Sequence, residues 1–232
     1  MIIIQVADIT AEVERKWIKS LRLRICPPDG RIRISAPMLM SERVIRQFIL
    51  DKEQWIRHHV ARVTERHRAV PLEYLSGEEH YYMGQPYRLR VVQHNGSARV
   101  LIEDDEMLLY VREGATKERR EAVMCEWYRA EMKALIPELV VRWEAIIGVK
   151  AAKVSIKQMK TIWGSCNHRT HDINFNLELM KRPLHCIEYV VVHELLHIIV
   201  RLHNDESWAL MNRYLPDWRK RKEELNKWAM SL

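Results

Sequence analysis

Aliphatic and polar residues alternate along residues 21–34, LRLRICPPDGRIRI, on both sides of a Pro-Pro-Asp-Gly turn signal. Because successive side chains of a strand point to opposite faces, this pattern predicts a β-hairpin with its aliphatic residues on one face. The other face carries the arginines Arg22, Arg24, Arg31 and Arg33. Like charges that face each other across two strands are unfavourable unless solvent or an anion separates them. This face is therefore either solvated or a site for phosphate groups.

A helical spacing follows the hairpin. Apolar residues recur at steps of three and four residues from Ser41, a candidate N-cap, to about Arg68, which predicts one long helix with a core-facing stripe. Residues 80–111 then contain two or three short runs typical of strands. The first half of the chain is thus predicted to be rich in β-structure, with one long helix.

The second half has mainly helical spacing. Helices are expected over about residues 117–147, 183–201, 205–215 and 217–232. Pro137 should kink or split the first of them. Residues 152–158 are expected to form a strand, and the alternating residues 172–179 an edge strand. The fold class is therefore α+β, either as two parts, 1–115 and 116–232, or as one continuous domain.

Composition narrows the class of protein. The chain has 232 residues, of which 47% are hydrophobic and 30% charged, as in soluble globular proteins. We find no apolar run near the length of about 18 residues that a membrane span needs, and no secretory signal pattern. The four cysteines are widely separated, which favours a reducing cytoplasm. The net charge of +7 favours anionic partners such as nucleic acid, but a basic surface without that role is equally compatible.

The segment IEYVVVHELLHIIVRLH, residues 187–203, carries the strongest chemical signal. His193 and His197 are one helical turn apart on the same face, so both imidazoles can reach one metal ion. Glu194 lies beside them and can accept a proton from a metal-activated water. Because the surrounding residues are apolar, a metal would satisfy polar groups that are otherwise costly to bury. The alternative is a hydrogen-bonded His/Glu cluster in the core.

A catalytic zinc site needs a third protein ligand and an open position for water. His203 follows His197 by six residues, and we expect it to be this ligand after a turn near Val200. The long metzincin motif is not met, because Val200 stands where that motif has glycine. Glu206 is the alternative third ligand, in place of His203.

Several further motifs resemble the YgjP-like zinc metallopeptidases, which are related to the SprT-like group. The residues that carry the resemblance are Met159-Lys160-Thr161, Trp163-Gly164-Ser165-Cys166, the Asn-rich strand, Pro183, the His-Glu-Leu-Leu-His segment, His203 and Trp208. The hairpin ending in Ser35-Ala36-Pro37, a Trp-Ile-Arg helix at residue 55 and a Gly-Gln-Pro-Tyr-Arg segment at residue 84 extend it to the front. The resemblance implies a zincin-like core, one Zn²⁺ per chain and a peptide bond as the target.

The chain departs from that family pattern at two places. Ile162 stands where the family usually has arginine, and residues 167–171, NHRTH, replace a turn of small residues. The second change leaves His168 and His171 near a strand that borders the expected site. Substrate preference is therefore not carried over from the family.

The W-G-S-C segment has two interpretations. It is either a tight turn that packs Trp163 in the core, or a rim on which Trp163, Gly164 and Ser165 position the substrate. The strand after it, with Asn174 and Asn176, is expected to bind an extended peptide by strand addition.

Three functional hypotheses follow. The first is a zinc metallopeptidase in which Glu194 is the general base. The second is a metal-dependent nucleotide phosphohydrolase of the nucleoside triphosphate pyrophosphatase type, with the arginine hairpin holding phosphates. The third is a DNA-associated protease or binding module with zinc. The sequence does not choose the physiological substrate, the metal loaded in cells or the oligomeric state.

Overall fold

The structure is a computed structural model that describes residues 1–26, 29–67 and 72–228. The chain divides into two compact units, Met1–Pro71 and Leu72–Leu232. The described residues form three β-sheets and six α-helices, which confirms a mixed α+β fold. Among these residues, none of the helices has the length and apolar character that crossing a membrane requires.

The first unit is a four-stranded sheet in the order β1-β2-β4-β3 with two helices. Its elements are β1 (Ile2–Val6), β2 (Ile9–Lys16), β3 (Arg22–Cys26), β4 (Arg31–Pro37), α1 (Glu42–Asp51) and α2 (Glu53–His67). The aliphatic face of the sheet and the inner faces of both helices form one core, made of Ile4, Ile9, Ala11, Val13, Ile32, Ile34, Ala36, Ile45, Ile49 and Ile56. Burial of these side chains stabilises the unit.

The predicted hairpin is confirmed, since β3 and β4 pair antiparallel with exposed arginines on one face. Pro27 and Pro28 of its turn lie outside the described residues. The single helix expected from Ser41 to Arg68 is wrong, because the chain breaks at Lys52 into α1 and α2. Buried apolar residues continue at helical spacing on both sides of Lys52, so the periodicity did not reveal the break. Strands β1 and β2 were also missed.

The second unit contains two sheets and four α-helices. Its elements are β5 (Glu79–Tyr82), β6 (Gln85–Gln93), β7 (Arg99–Glu103), β8 (Glu106–Val111), α3 (Lys117–Ile147), β9 (Lys153–Lys157), β10 (Gly164–Asn167), β11 (Asp172–Asn176), a 3-10 helix (Leu177–Lys181), α4 (Leu184–Leu196), α5 (Asp205–Tyr214) and α6 (Trp218–Lys227). The sheet β5-β6-β8-β7 buries apolar residues against α3, within the same core as α4. The boundary expected after residue 115 therefore lies inside this unit.

Helix α3 runs through Pro137 without being split and ends at Gly148, whose φ of 80° is the left-handed conformation of a C-cap. Proline removes the N–H that would bond the carbonyl of Lys133 four residues earlier. Both Pro137 and Lys133 are exposed. The carbonyl left without a donor can therefore bond to water, which lowers the cost of the proline.

The small sheet has the order β10-β11-β9, which corrects the expectation for residues 172–179. Strand β11 ends at Asn176 and is the central strand, because β10 pairs with it antiparallel and β9 pairs with it parallel. Its backbone groups are thus used on both sides. Strands β10 and β9 are the two edges of this sheet, and β10 contains the last three residues of the W-G-S-C segment.

Candidate metal centre

Helix α4 places the first two functional side chains. Pro183 is its N-cap, and the helix is buried over most of its length because its residues are apolar nearly all round. It ends at Leu196, earlier than the predicted end near residue 201, and His197 is its C-cap. His193 and His197 therefore lie on one face at the carboxyl end of the helix, with Glu194 next to them.

A turn after α4 brings the third histidine back. The backbone N–H of Val200 donates to the carbonyl of Leu196, and Asn204 then caps α5 by a reciprocal pair of hydrogen bonds with Ser207. His203 directly precedes this cap. Its Nε2 lies 3.1 Å from Nε2 of His193.

The three imidazoles converge. One ring nitrogen from each of His193, His197 and His203 lies within 4.8 Å of the others, a grouping that can hold a metal ion. The Nδ1 of His197 donates to the carbonyl oxygen of Val200 at 3.0 Å. Because a neutral imidazole carries only one proton, this bond leaves Nε2 of His197 as an unprotonated ligand atom.

Burial keeps two of these rings neutral. Burial and the neighbouring His197 and His203 lower the pKa of His193 to about 3. Burial, His197 and Lys222 also lower the pKa of His203. Metal binding requires neutral imidazoles, so this donor set fits a divalent cation such as Zn²⁺.

Glu194 is held in an apolar setting beside the histidines. Only 5% of its surface is exposed, and burial raises its pKa to about 8. Its carboxylate has no hydrogen-bond donor among the described residues. A carboxyl group with a pKa near neutrality can both accept and release a proton under cellular conditions.

The backbone of β10 approaches Glu194 closely at Gly164. A Cβ at this position would lie 2.6 Å from Oε1 and 2.8 Å from Cγ of Glu194. Side chains larger than hydrogen would displace the carboxylate. Gly164 therefore contacts Glu194, and the substrate contact that the sequence suggests for Gly164 stays a prediction.

A cavity of about 540 Å³ opens over these groups. It is lined on one side by β10 and the loop before it, including Trp163, Gly164 and Ser165, and on the other side by α4 and α6. His168, on the turn after β10, also lines the cavity. Its Nδ1 donates to the carbonyl oxygen of His197 at 2.8 Å. This bond joins the β10–β11 turn to the carboxyl end of α4.

The remaining predicted site residues lie elsewhere. The side chain of Asn174 donates to Oγ of Ser165 at 3.3 Å. Asn176 is fully buried and donates to the carbonyl oxygens of Met159 and Ile162, both at 2.8 Å. Neither asparagine lines the cavity. Asn176 instead holds the loop before β10 in place.

The arginines of the hairpin belong to the first unit. On β4, Arg33 donates to Glu12 at 2.8 Å, and Arg31 lies 3.8 Å from the same carboxylate. Arg24 is directly opposite Arg33 in the register of β3 and β4. Arg22 and Arg24 make no ion pair within the described residues.

Sequence reasoning missed several residues that line the cavity, among them Tyr189, Arg201, Lys222 and Asn226. Lys222 and Asn226 lie on α6, in the charged run RKRKEELNK, which resembles an ordinary solvated face. Only the packing of α6 beside α4 distinguishes Lys222 from the other lysines of this run.

Comparison with known proteins identifies the class of protein. The model of the YgjP-like metallopeptidase domain matches residues 19–228, and the chain therefore belongs to the YgjP-like metallopeptidase family. No curated protein matches the chain significantly.

Two solved structures resemble parts of the chain. The metallopeptidase zymogen abylysin of Pyrococcus abyssi is 15% identical to this chain, with a TM-score of 0.38. The match covers 40% of this chain and 93% of the abylysin chain. The metallopeptidase zymogen jannalysin of Methanocaldococcus jannaschii is 16% identical to this chain, with a TM-score of 0.36. The match covers 40% of this chain and 94% of the jannalysin chain.

Proposed function

We propose that this protein is a zinc-dependent peptidase in which His193, His197 and His203 hold the metal ion and Glu194 is the general base. One observation carries the proposal: three imidazole nitrogens lie within 4.8 Å of one another, beside a buried carboxylate, in an open cavity. Membership of a metallopeptidase family supports the same reaction class. Glu206 is not part of the cluster and does not line the cavity.

The reaction divides between the metal and the chain. Zn²⁺, when bound, acts as a Lewis acid towards a carbonyl and lowers the pKa of water to about 7. Glu194 takes the proton from the attacking water and passes it to the leaving amine. Gly164 keeps Glu194 in position, because the absence of a side chain lets the carboxylate lie against β10.

The edge strand β10 is our proposed platform for an extended peptide. Among the described strands it pairs with β11 alone, and Gly164, Ser165 and Cys166 line the cavity. Backbone groups at a free strand edge can pair with an added peptide strand, while the cavity takes the side chains. This assigns to β10 the role that the sequence had suggested for residues 172–179.

The nucleotide and DNA hypotheses have less support. The nucleotide hypothesis depended on a phosphate-binding arginine face, yet Arg31 and Arg33 both contact Glu12, which offsets part of their charge. The DNA hypothesis depended on the net positive charge, which a basic surface without that role explains equally well. Release of phosphate or pyrophosphate from nucleoside triphosphates would be the evidence for the nucleotide hypothesis.

The Glu194→Gln variant tests the peptidase proposal. It keeps the size of the side chain but removes the base, so we expect kcat on a protein or peptide substrate to fall by roughly 10³-fold. Elemental analysis should give the same zinc content as in the wild type, because the three histidines are intact. Glu223→Gln, an exposed carboxylate on α6, is the matched control. Unchanged turnover in the Glu194→Gln variant would exclude this mechanism.

A further inference from the structure

The charged groups around the cavity are unbalanced. Within the described part of the chain, two cationic side chains line it, Arg201 and Lys222, and the one carboxyl group in the lining is that of Glu194. Among the described residues, neither cation forms an ion pair with an acidic side chain. The lining thus carries two permanent positive charges against a single carboxyl group. The cavity therefore attracts anions, and a bound divalent metal would increase this attraction.

Lys222 is the better placed of the two cations. Its Nζ lies 5.3 Å from the ring centroid of Trp208 and 5.7 Å from that of Trp218. These two indoles stack with an interplanar angle of 6°, and Trp208 also contacts His203 with ring centroids 5.8 Å apart. Lys222 is half-buried and lines the cavity, and its ammonium group lies within cation–π distance of the aromatic pair.

Lys222 lies close to the metal centre. The ring of Trp208 is near both the ammonium group of Lys222, at 5.3 Å, and the ring of His203, at 5.8 Å, and Lys222 and the three histidines line the same cavity. A cation without a counter-ion, beside a site for a second cation, is unfavourable unless an anion joins them. No described carboxylate forms an ion pair with Lys222, so its charge is available to an anionic group of a bound substrate.

We propose that Lys222 binds a carboxylate of the peptide substrate next to the metal centre, so that the peptidase prefers peptides with a carboxylate close to the scissile bond. This inference rests on the proposed function. The carboxylate has two chemical sources, an acidic side chain or the free C-terminus of the peptide. Arg201 lies on the same cavity and adds a second positive charge. Arg201 is more exposed than Lys222, so solvent screens its charge more strongly.

Matched peptides separate the two sources. One pair of peptides differs only by aspartate against asparagine beside the scissile bond, and the other by a free C-terminus against a C-terminal amide. We expect wild-type kcat/KM to favour the acidic member of at least one pair by about tenfold, as for a partly desolvated charge pair. The pair that shows the preference identifies the source. Equal rates within both pairs would overturn the proposal.

Variants of α6 assign the preference to Lys222. Lys222→Met keeps an unbranched side chain but removes the charge, so the ratio within the preferred pair should fall to near one. Lys222→Glu should reverse it in favour of the neutral member. Lys220→Met is the matched control, since Lys220 lies on the same helix, is exposed and does not line the cavity. An unchanged ratio in Lys222→Met would overturn the proposal.

A binding measurement separates this inference from the proposed function. Fluorescence anisotropy of labelled peptides, with the Glu194→Gln variant and its Glu194→Gln, Lys222→Met derivative, reports the preference without turnover. If the wild type cleaves no peptide but binding is selective and depends on Lys222, the carboxylate site is supported and the peptidase is rejected. Cleavage of peptides without any acidic preference, in rates or in binding, would reject the carboxylate site alone. Absence of both cleavage and selective binding would reject both.

Discussion

The two polar regions that the sequence singles out, the arginine face of the hairpin and the histidine cluster at the carboxyl end of α4, differ in how their polar groups are satisfied. On the hairpin, Arg31 and Arg33 contact Glu12 of the neighbouring strand β2. In the cavity, the three imidazoles and the carboxylate of Glu194 have few protein partners, although His193 and Glu194 are largely buried. The charge of the arginine face is thus partly neutralised within its own sheet, whereas the buried polar groups of the cavity have few such partners.

This difference shows where a ligand is needed. Burying polar groups without partners costs free energy, so a fold that keeps several of them in one cavity does so for a bound group. Exposed arginines are hydrated and need no ligand, however regular their spacing. Charge spacing in a sequence is therefore weaker evidence for a site than incomplete hydrogen bonding around buried groups in the structure.

Among the substitutions that test this difference, removal of one proposed histidine ligand should have the largest effect. His203→Ala leaves two imidazoles, and we expect its affinity for zinc to fall by at least about 100-fold. Elemental analysis of the purified variant should then give much less zinc than the wild type, which should contain about one ion per chain. His58→Ala, an exposed histidine of the first unit, is the control and should keep the wild-type content.

Thermal unfolding gives a second measurement for the same variant. A ligand that binds only the folded state stabilises it, so a chelator should lower the Tm of the wild type. The same chelator should leave the Tm of His203→Ala nearly unchanged. If the variant retains stoichiometric zinc and responds to the chelator like the wild type, His203 is not a ligand.

The contact between Gly164 and Glu194 predicts an intermediate effect. A Cβ at residue 164 would overlap the Glu194 carboxylate, so Gly164→Ala should lower kcat by roughly 10- to 100-fold through displacement of the base. Zinc content should stay constant because no histidine is moved. Ser165→Ala, the next residue of β10, introduces no such overlap and is the matched control. Equal kcat values for Gly164→Ala and the wild type would mean that β10 does not position Glu194.

The cluster of three histidines was predictable because its main spacing is local. His193 and His197 share a helical face whatever the rest of the fold does, and the turn needed for His203 is only a few residues long. The order β10-β11-β9 was not predictable, because a strand as short as Gly164–Asn167 has too few residues for a clear alternation. The proximity of Lys222 and Gly164 to the site depends on tertiary packing between distant segments. Periodicity carries no information about such contacts.

The smallest expected effect is a decrease in Tm when the carboxylate that pairs with the arginine face is neutralised. Glu12 lies directly opposite Arg33 in the register of β2 and β4, and Arg33 also faces Arg24 of β3. Glu12→Gln removes the negative charge from this row, so we expect Tm to fall by about 1–2 °C at low salt, as for an exposed ion pair. Glu14→Gln, on the same strand but paired with Lys16, is the control and should have a smaller effect. In about 1 M salt, where the Debye length is only about 3 Å, the loss at Glu12 should disappear. A loss that persists in salt would mean that Glu12 stabilises the sheet by packing, and the contrast with the cavity would then not be one of charge.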